Sequence, residues 1–176
     1  INCHAGKLPF YRGRNVLNWA LINDEKEFGI TVHYIDEGID TGDIILQECF
    51  EITDSDDYRT LLNRAYKGCA NLLEKAVINI LNGKVKRISQ SSIHPLGFYC
   101  SERKMGDEKI NWNQSSREIF NFIRALSPPG PSALTYLNDF EIRINKAEYL
   151  SNAINYKGLP GIILKNQSNI LTIKTK

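Results

Sequence analysis

The stretch that most narrows the fold is residues 28–52, FGITVHYIDEGIDTGDIILQECFEI. Its first part alternates, with Ile30, Val32 and Tyr34 on one side and Thr31, His33 and Ile35 on the other, the period-two pattern of a β-strand. Gly38 and Gly42 break that pattern inside DEGIDTGD, and IILQECFEI opens a second strand-like run. Two strands joined by an eight-residue loop dense in acids and glycines place a functional loop on a rigid frame. A chain of 176 residues has room for one sizeable core, or for one domain with a smaller one appended.

The remaining elements arrange themselves around this pair. Ile1 to His4 reads as the end of a strand, followed by a loop with two glycines and a proline, AGKLPFYRG. Val16, Leu17, Trp19, Ala20 and Leu21 are nearly continuous, as in a short helix packed deeply on a sheet. TDSDD supplies capping side chains for a long helix over 58–81, whose stripe Leu61, Leu62, Ala65, Cys69, Leu72, Leu73, Ala76 and Ile80 is core, with Gly83 as its stop. KVKRISQSS and IHPLGFYC read as a connector or edge segment, and SERKMGDEKINW as the turn-rich passage out of the first domain. A second helix follows at SSREIFNFIRAL and stops at SPPGP. SALTYL, FEIRINKAEYL, GIILKN and ILTIKTK are short strands spaced by turns, the pattern of a small barrel or sandwich. The expected organisation is therefore α/β over 1–102, with a linker helix and a β domain over 103–176.

Composition excludes several classes. With 42% apolar and 24% charged residues the chain is not a disordered tail, and no apolar run approaches the ~20 residues that span a bilayer. Cys3, Cys49, Cys69 and Cys100 are scattered without metal-ligand spacing, which fits a reducing cytoplasm. Cys3 and His4 are adjacent on a strand and face opposite ways, so no metal site is expected there. Residues 1–102 hold 11 Lys and Arg against 14 Asp and Glu, and residues 103–176 hold 11 against 6. The basic residues of the second part are dispersed, although such a surface could meet a polyanion.

Chemistry concentrates at three side chains. Asn2 and His4, two apart on a strand end, point to one side, and Asp40 lies in the acid-rich loop. A carboxamide that can donate to a developing oxyanion, an imidazole that titrates near neutrality and a carboxylate that can orient it form an acyl-transfer set. His33 and His94 are assigned no role.

The motifs NxHAGKLPxYRGRN and GITVHYIDEGIDTGD, at this spacing, resemble the signature of the folate-dependent formyltransferases, and GDEKINW, IFNFIRAL and PPGPSALTYL are similar to the linker, helix and OB-like domain of that family. The resemblance implies the C-terminal part of a Rossmann-like formyltransferase domain followed by a small OB-like β-barrel. It implies 10-formyltetrahydrofolate as cosubstrate and Asn2, His4 and Asp40 as the catalytic trio. It also implies that Asp36, Glu37, Gly38, Ile39 and Asp40 form the loop at the pterin-bearing cosubstrate, with Arg14 near it. The family's early strands precede the Asn-x-His motif. The chain opens without Met inside an apparent strand, so it is expected to be a piece of a protein with about one hundred further residues, a typical domain's worth.

The acceptor amine is read from YRGRNVLNWALIN, which is closer to the branch that formylates nucleotide-linked amino sugars than to the tRNA branch. Methionyl-tRNA stays open as acceptor, as does a truncated or degenerate relative whose C-terminal barrel is a binding module. Expected partners are thus a nucleotide sugar or tRNA, with a homodimer among the allowed assemblies and no membrane.

Overall fold

The computed structural model describes residues 1–168 and 170–176. Its frame is a three-stranded antiparallel sheet in the order β1 (Asn2–His4), β3 (Glu27–His33), β4 (Ile44–Glu51). β3 is buried from Phe28 through His33, on both faces, as the central strand of the sheet. The two covers come close at different residues. A side chain at Gly29 would collide with the backbone of Lys7, in the loop that crosses one face, and one at Gly68 would collide with Ile30 Cδ1 from the helix on the other.

That helix, α2 (Tyr58–Leu81), occupies the expected span. It begins with a capping box in which the Asp57 carboxylate accepts from Thr60 N and the Thr60 hydroxyl accepts from Asp57 N. Leu61, Ala65, Gly68, Leu72 and Ala76 form its buried stripe, and a fully buried leucine such as Leu61 contributes about 1.5–3 kcal/mol. The strand β2 (Arg12–Gly13) and the short helix α1 (Val16–Ile22) return the chain across the sheet. Asn15 stands before α1 in the left-handed region, a conformation asparagine tolerates better than most residues.

The connector is more ordered than its polarity indicates. It holds the helical turn α3 (Gln90–Ile93) and the strand β5 (Tyr99–Cys100), which pairs in parallel with β2. Ile88 bridges back to Ile44 at the start of β4.

Helix α4 (Ser116–Leu126) also starts with a capping box, between Ser115 and Glu118, and docks on α1. Asn18 donates to the Ala125 carbonyl at 2.6 Å, Arg124 donates to the Thr53 carbonyl at 2.7 Å, and Arg117 pairs with Asp24 at 2.5 Å and Asp54 at 2.7 Å. Ala125 belongs to the main core, while Ile119, Ile123, Leu126 and Ala133 build a second, smaller one.

The expected OB-like barrel is not confirmed. The C-terminal strands form two separate hairpins, β6 (Ala133–Leu137) with β7 (Phe140–Ile144) and β8 (Ile163–Gln167) with β9 (Ile170–Ile173), and among the described residues no ladder closes them into a barrel. The expected strand 140–150 ends at Ile144, because KAEYL beyond it has no strand to pair with. Among the described residues no helix is long and apolar enough to cross a membrane.

Candidate active site

The register of β1 on β3 sets Asn2 opposite His33 and His4 opposite Thr31. Residues opposed in an antiparallel pair share a face, so both functional side chains of β1 lie with His33 on one side of the sheet. Asp40 reaches the same side from the β3–β4 loop. That loop closes through Tyr34 N–H donating to the Asp43 carbonyl at 2.9 Å. At Gly42 a Cβ would stand 1.8 Å from the Tyr34 carbonyl oxygen, so only glycine permits the closure.

The three groups meet. The Asp40 carboxylate accepts from Asn2 Nδ2 at 3.4 Å through Oδ1, faces His4 Nδ1 at 3.5 Å through Oδ2, and accepts from the Gly13 backbone N–H at 2.9 Å. His4 and Asp40 are both mostly buried, with side chains 10% and 11% exposed. His4 Nε2 lies 2.6 Å from the Tyr11 carbonyl oxygen, which can only accept, so Nε2 carries the hydrogen and Nδ1 is the basic nitrogen turned toward Asp40. A proton taken up at Nδ1 therefore comes to rest beside a carboxylate.

His33, passed over in the sequence, belongs to the cluster. Its Nδ1–H donates to the Tyr34 carbonyl at 2.8 Å, which leaves Nε2 as an acceptor 3.3 Å from Asn2 Nδ2. The same Nε2 is 3.5 Å from Asp40 Oδ1. Both amide hydrogens of Asn2 are thus engaged, at distances near the limit for a hydrogen bond. An incoming oxygen that develops negative charge at ordinary hydrogen-bond distance would compete with both long contacts. The signal for His33 was its place in a strand opposite Asn2, which requires the pairing of β1 with β3.

The loop residues sort differently. Asp36, Glu37, Gly38 and Ile39 are exposed beside the trio. The Asp36 carboxylate is folded back on Thr41 Oγ1 at 2.5 Å and Gly38 N at 3.2 Å, and the hydrogen bond from Thr41 is the first cause holding its carboxyl below the usual range. Arg14 is not drawn to the trio: its guanidinium turns to Glu102 at 2.5 Å. Asn18 and Trp19, in the stretch that resembles the sugar branch, direct their N–H groups to the carbonyls of Ala125 and Ser101. On the opposite face Cys3 Sγ donates to the Cys69 carbonyl at 3.7 Å, and all four cysteines are free.

A carboxamide, an imidazole and a carboxylate thus converge at one end of the sheet, a set able to serve a group transfer in which an oxygen becomes negative. Residues 1–77 match the family described as formyl transferase, and residues 103–176 match formyl transferase, C-terminal domain. This chain belongs to the formyl transferase family. It is 37% identical over 171 residues to the methionyl-tRNA formyltransferase of Thermodesulfovibrio yellowstonii, covering 97% of this chain and 53% of that protein. Among solved structures it is similar to a 4-N formyltransferase from Francisella tularensis, with 27% identity, TM-score 0.70, and cover of 85% of this chain and 62% of that one. It is also similar to an N-formyltransferase from Helicobacter canadensis in complex with folinic acid and dTDP-3-aminofucose, with 27% identity, TM-score 0.63, and cover of 82% and 62%. The chain spans about half the length of the curated relatives it matches.

Proposed function

We propose that this chain is the part of an N-formyltransferase that carries the catalytic trio, and that the whole protein moves a formyl group from 10-formyltetrahydrofolate to a primary amine on a nucleotide-linked sugar. The observation that carries the reading is the convergence of Asn2 and His4 on Asp40 within 3.5 Å. The cosubstrate supplies an electrophilic formyl carbon. Asn2 donates an amide N–H to the formyl oxygen as it becomes negative, exchanging its long contacts with His33 and Asp40 for a stronger one. His4 takes the proton of the attacking amine at Nδ1, and the carboxylate of Asp40 stabilises the imidazolium so formed; collapse of the tetrahedral intermediate then breaks the bond from the formyl carbon to the folate nitrogen, which takes up a proton and leaves as tetrahydrofolate. His33 keeps the Asn2 amide turned with its hydrogens toward this space.

The loop fits a flat heterocycle. Ile35 and Ile39 are exposed, 69% and 67%, beside a cluster that is otherwise buried, and offer an apolar face, while the backbone of 36–39 offers polar edges. Arg14 would contribute only after leaving Glu102.

The sugar acceptor is supported by RGRNVLNW and by the dTDP-3-aminofucose in the Helicobacter canadensis relative. A second reading, methionyl-tRNA, is favoured by the Thermodesulfovibrio yellowstonii enzyme, which aligns along 97% of this chain at higher identity, and by the basic residues after position 102. The complete gene product is to be assayed with 10-formyltetrahydrofolate and each acceptor over a salt series. Transfer to tRNA falls steeply with added salt, whereas transfer to a nucleotide sugar responds mildly. Turnover with tRNA alone would replace the sugar reading, and turnover with neither acceptor would end the formyl-transfer reading.

A further inference from the structure

The connector between the two matched segments contains a buried polar residue that no part of the reaction described above uses. Gln90 is 3% exposed, and its carboxamide is fully engaged. Its Nε2 donates to the backbone carbonyls of Asp40 and Gly42, both at 2.8 Å, and its Oε1 accepts from Arg12 Nε at 3.0 Å and Nη2 at 2.7 Å. The Arg12 donors settle which end of the amide is oxygen. Arg12 is itself buried, donates through Nη1 to the Leu96 carbonyl at 3.2 Å, and has no carboxylate partner among the described residues.

Asp40 needs such a hold. Its φ of 55° lies in the left-handed region, which a non-glycine residue keeps only when its surroundings enforce it. The residues before it in the loop are exposed and offer little enforcement. Two consecutive residues of β2 grip Asp40 from two directions: Arg12 fixes its backbone through Gln90, and Gly13 N–H fixes its carboxylate at 2.9 Å. The pairing of β2 with β5 ties this grip to the connector.

We propose that Gln90, braced by Arg12, is a positioning residue that sets the Asp40 carboxylate between Asn2 and His4. It touches no reacting atom, and it lies outside residues 1–77 and 103–176, the segments that carry the family match. Its effect on catalysis rests on the formyl-transfer reading, whereas its effect on Asp40 does not.

The Gly13 amide gives a direct readout, since its acceptor is the Asp40 carboxylate, while the flanking Arg12 and Arg14 amides donate to the Phe98 and Cys100 carbonyls and serve as internal controls. Gln90→Glu keeps an acceptor for Arg12 and removes both donors to the loop; Gln90→Ala removes everything. Amide exchange of this chain, followed by NMR, should show Gly13 at least tenfold less protected in both variants, with β3 amides unchanged. Unchanged Gly13 protection, or an equal loss at Gly13 and throughout β3, overturns the proposal. In the complete gene product, Gln90→Glu should lower kcat at least tenfold with little change in KM, yet cost less than twofold more in an Asp40→Ala background. Multiplicative losses overturn it. Should the wild-type protein transfer no formyl group, the function reading fails, and the Gly13 measurement still decides this one.

Discussion

Replacing Gly6 by alanine tests the site through a residue that carries no functional group. A Cβ there would stand 2.4 Å from the Tyr11 carbonyl oxygen and 2.5 Å from His4 Nε2, the two atoms joined by the 2.6 Å hydrogen bond that fixes the imidazole. Ordinary contact requires each to retreat by about 1 Å, which takes the bond beyond hydrogen-bonding distance. A mostly buried N–H then loses its acceptor, at about 1–3 kcal/mol, and the imidazole is displaced by an amount that commonly costs about a hundredfold in rate. We expect Gly6→Ala to lower single-turnover formyl transfer by about 30- to 100-fold in the complete gene product while the protein stays folded. Gly158→Ala is the control, because its new methyl meets nothing closer than 3.4 Å. Formyl transfer by Gly6→Ala within threefold of wild type would refute the assignment of the Tyr11 carbonyl as the anchor of His4.

Four further outcomes follow from the geometry. Asn2→Ala should reduce kcat by about 10²–10³, the usual cost of losing an oxyanion donor, and Asp40→Ala by at least about tenfold, each measured by formyl transfer with the fold checked by circular dichroism. His33→Leu should cost about 5- to 20-fold in kcat, one hydrogen bond's worth, because the Asn2 amide loses an acceptor; an unchanged kcat would remove His33 from the site. Asp24, whose carboxyl is held at about 2 chiefly by hydrogen bonds from Arg117, contributes stability that is full above its ordinary value of 3.8 and lost as pH falls toward 2. With its side chain 36% exposed, screening limits that contribution to about 1 kcal/mol, and Arg117→Ala should flatten this acid limb of the urea midpoint between pH 5 and pH 2.

The parts legible in the sequence are those governed by local rules. The bounds of α2 and α4 follow from capping residues at Asp57 and Ser115 and from apolar stripes that any isolated helix would display. The meeting of Asn2, His4 and Asp40 was legible because strand alternation fixes the first two and the glycine-rich loop advertises the third. What stayed hidden depends on partners distant in the chain. Gln90 meets Arg12 across 78 positions, and nothing in SQSSIHP marks a buried amide. His33 acquires a partner only when β1 is laid beside β3. Alternation announces strands without saying which strands pair: here each hairpin pairs within itself, and Leu134 adds a bridge to Lys109 outside it.

The seat of α4 bears on any attempt to exchange acceptor preference between relatives. Although the second matched segment starts at Arg103, the helix inside it lends Ala125 to the main core and takes the Asn18 amide on its last turn. A hybrid spliced at residue 102 would bring in a foreign helix against α1, and with it a mismatched set of partners for Asp24, Asp54 and Thr53. A seam after Leu126, in the proline-rich SPPGP, keeps the Arg117 and Arg124 pairings, and what is traded is residues 127–176, the two hairpins with the segment between them that carries Tyr149, a neighbour of Arg117 and Asp54.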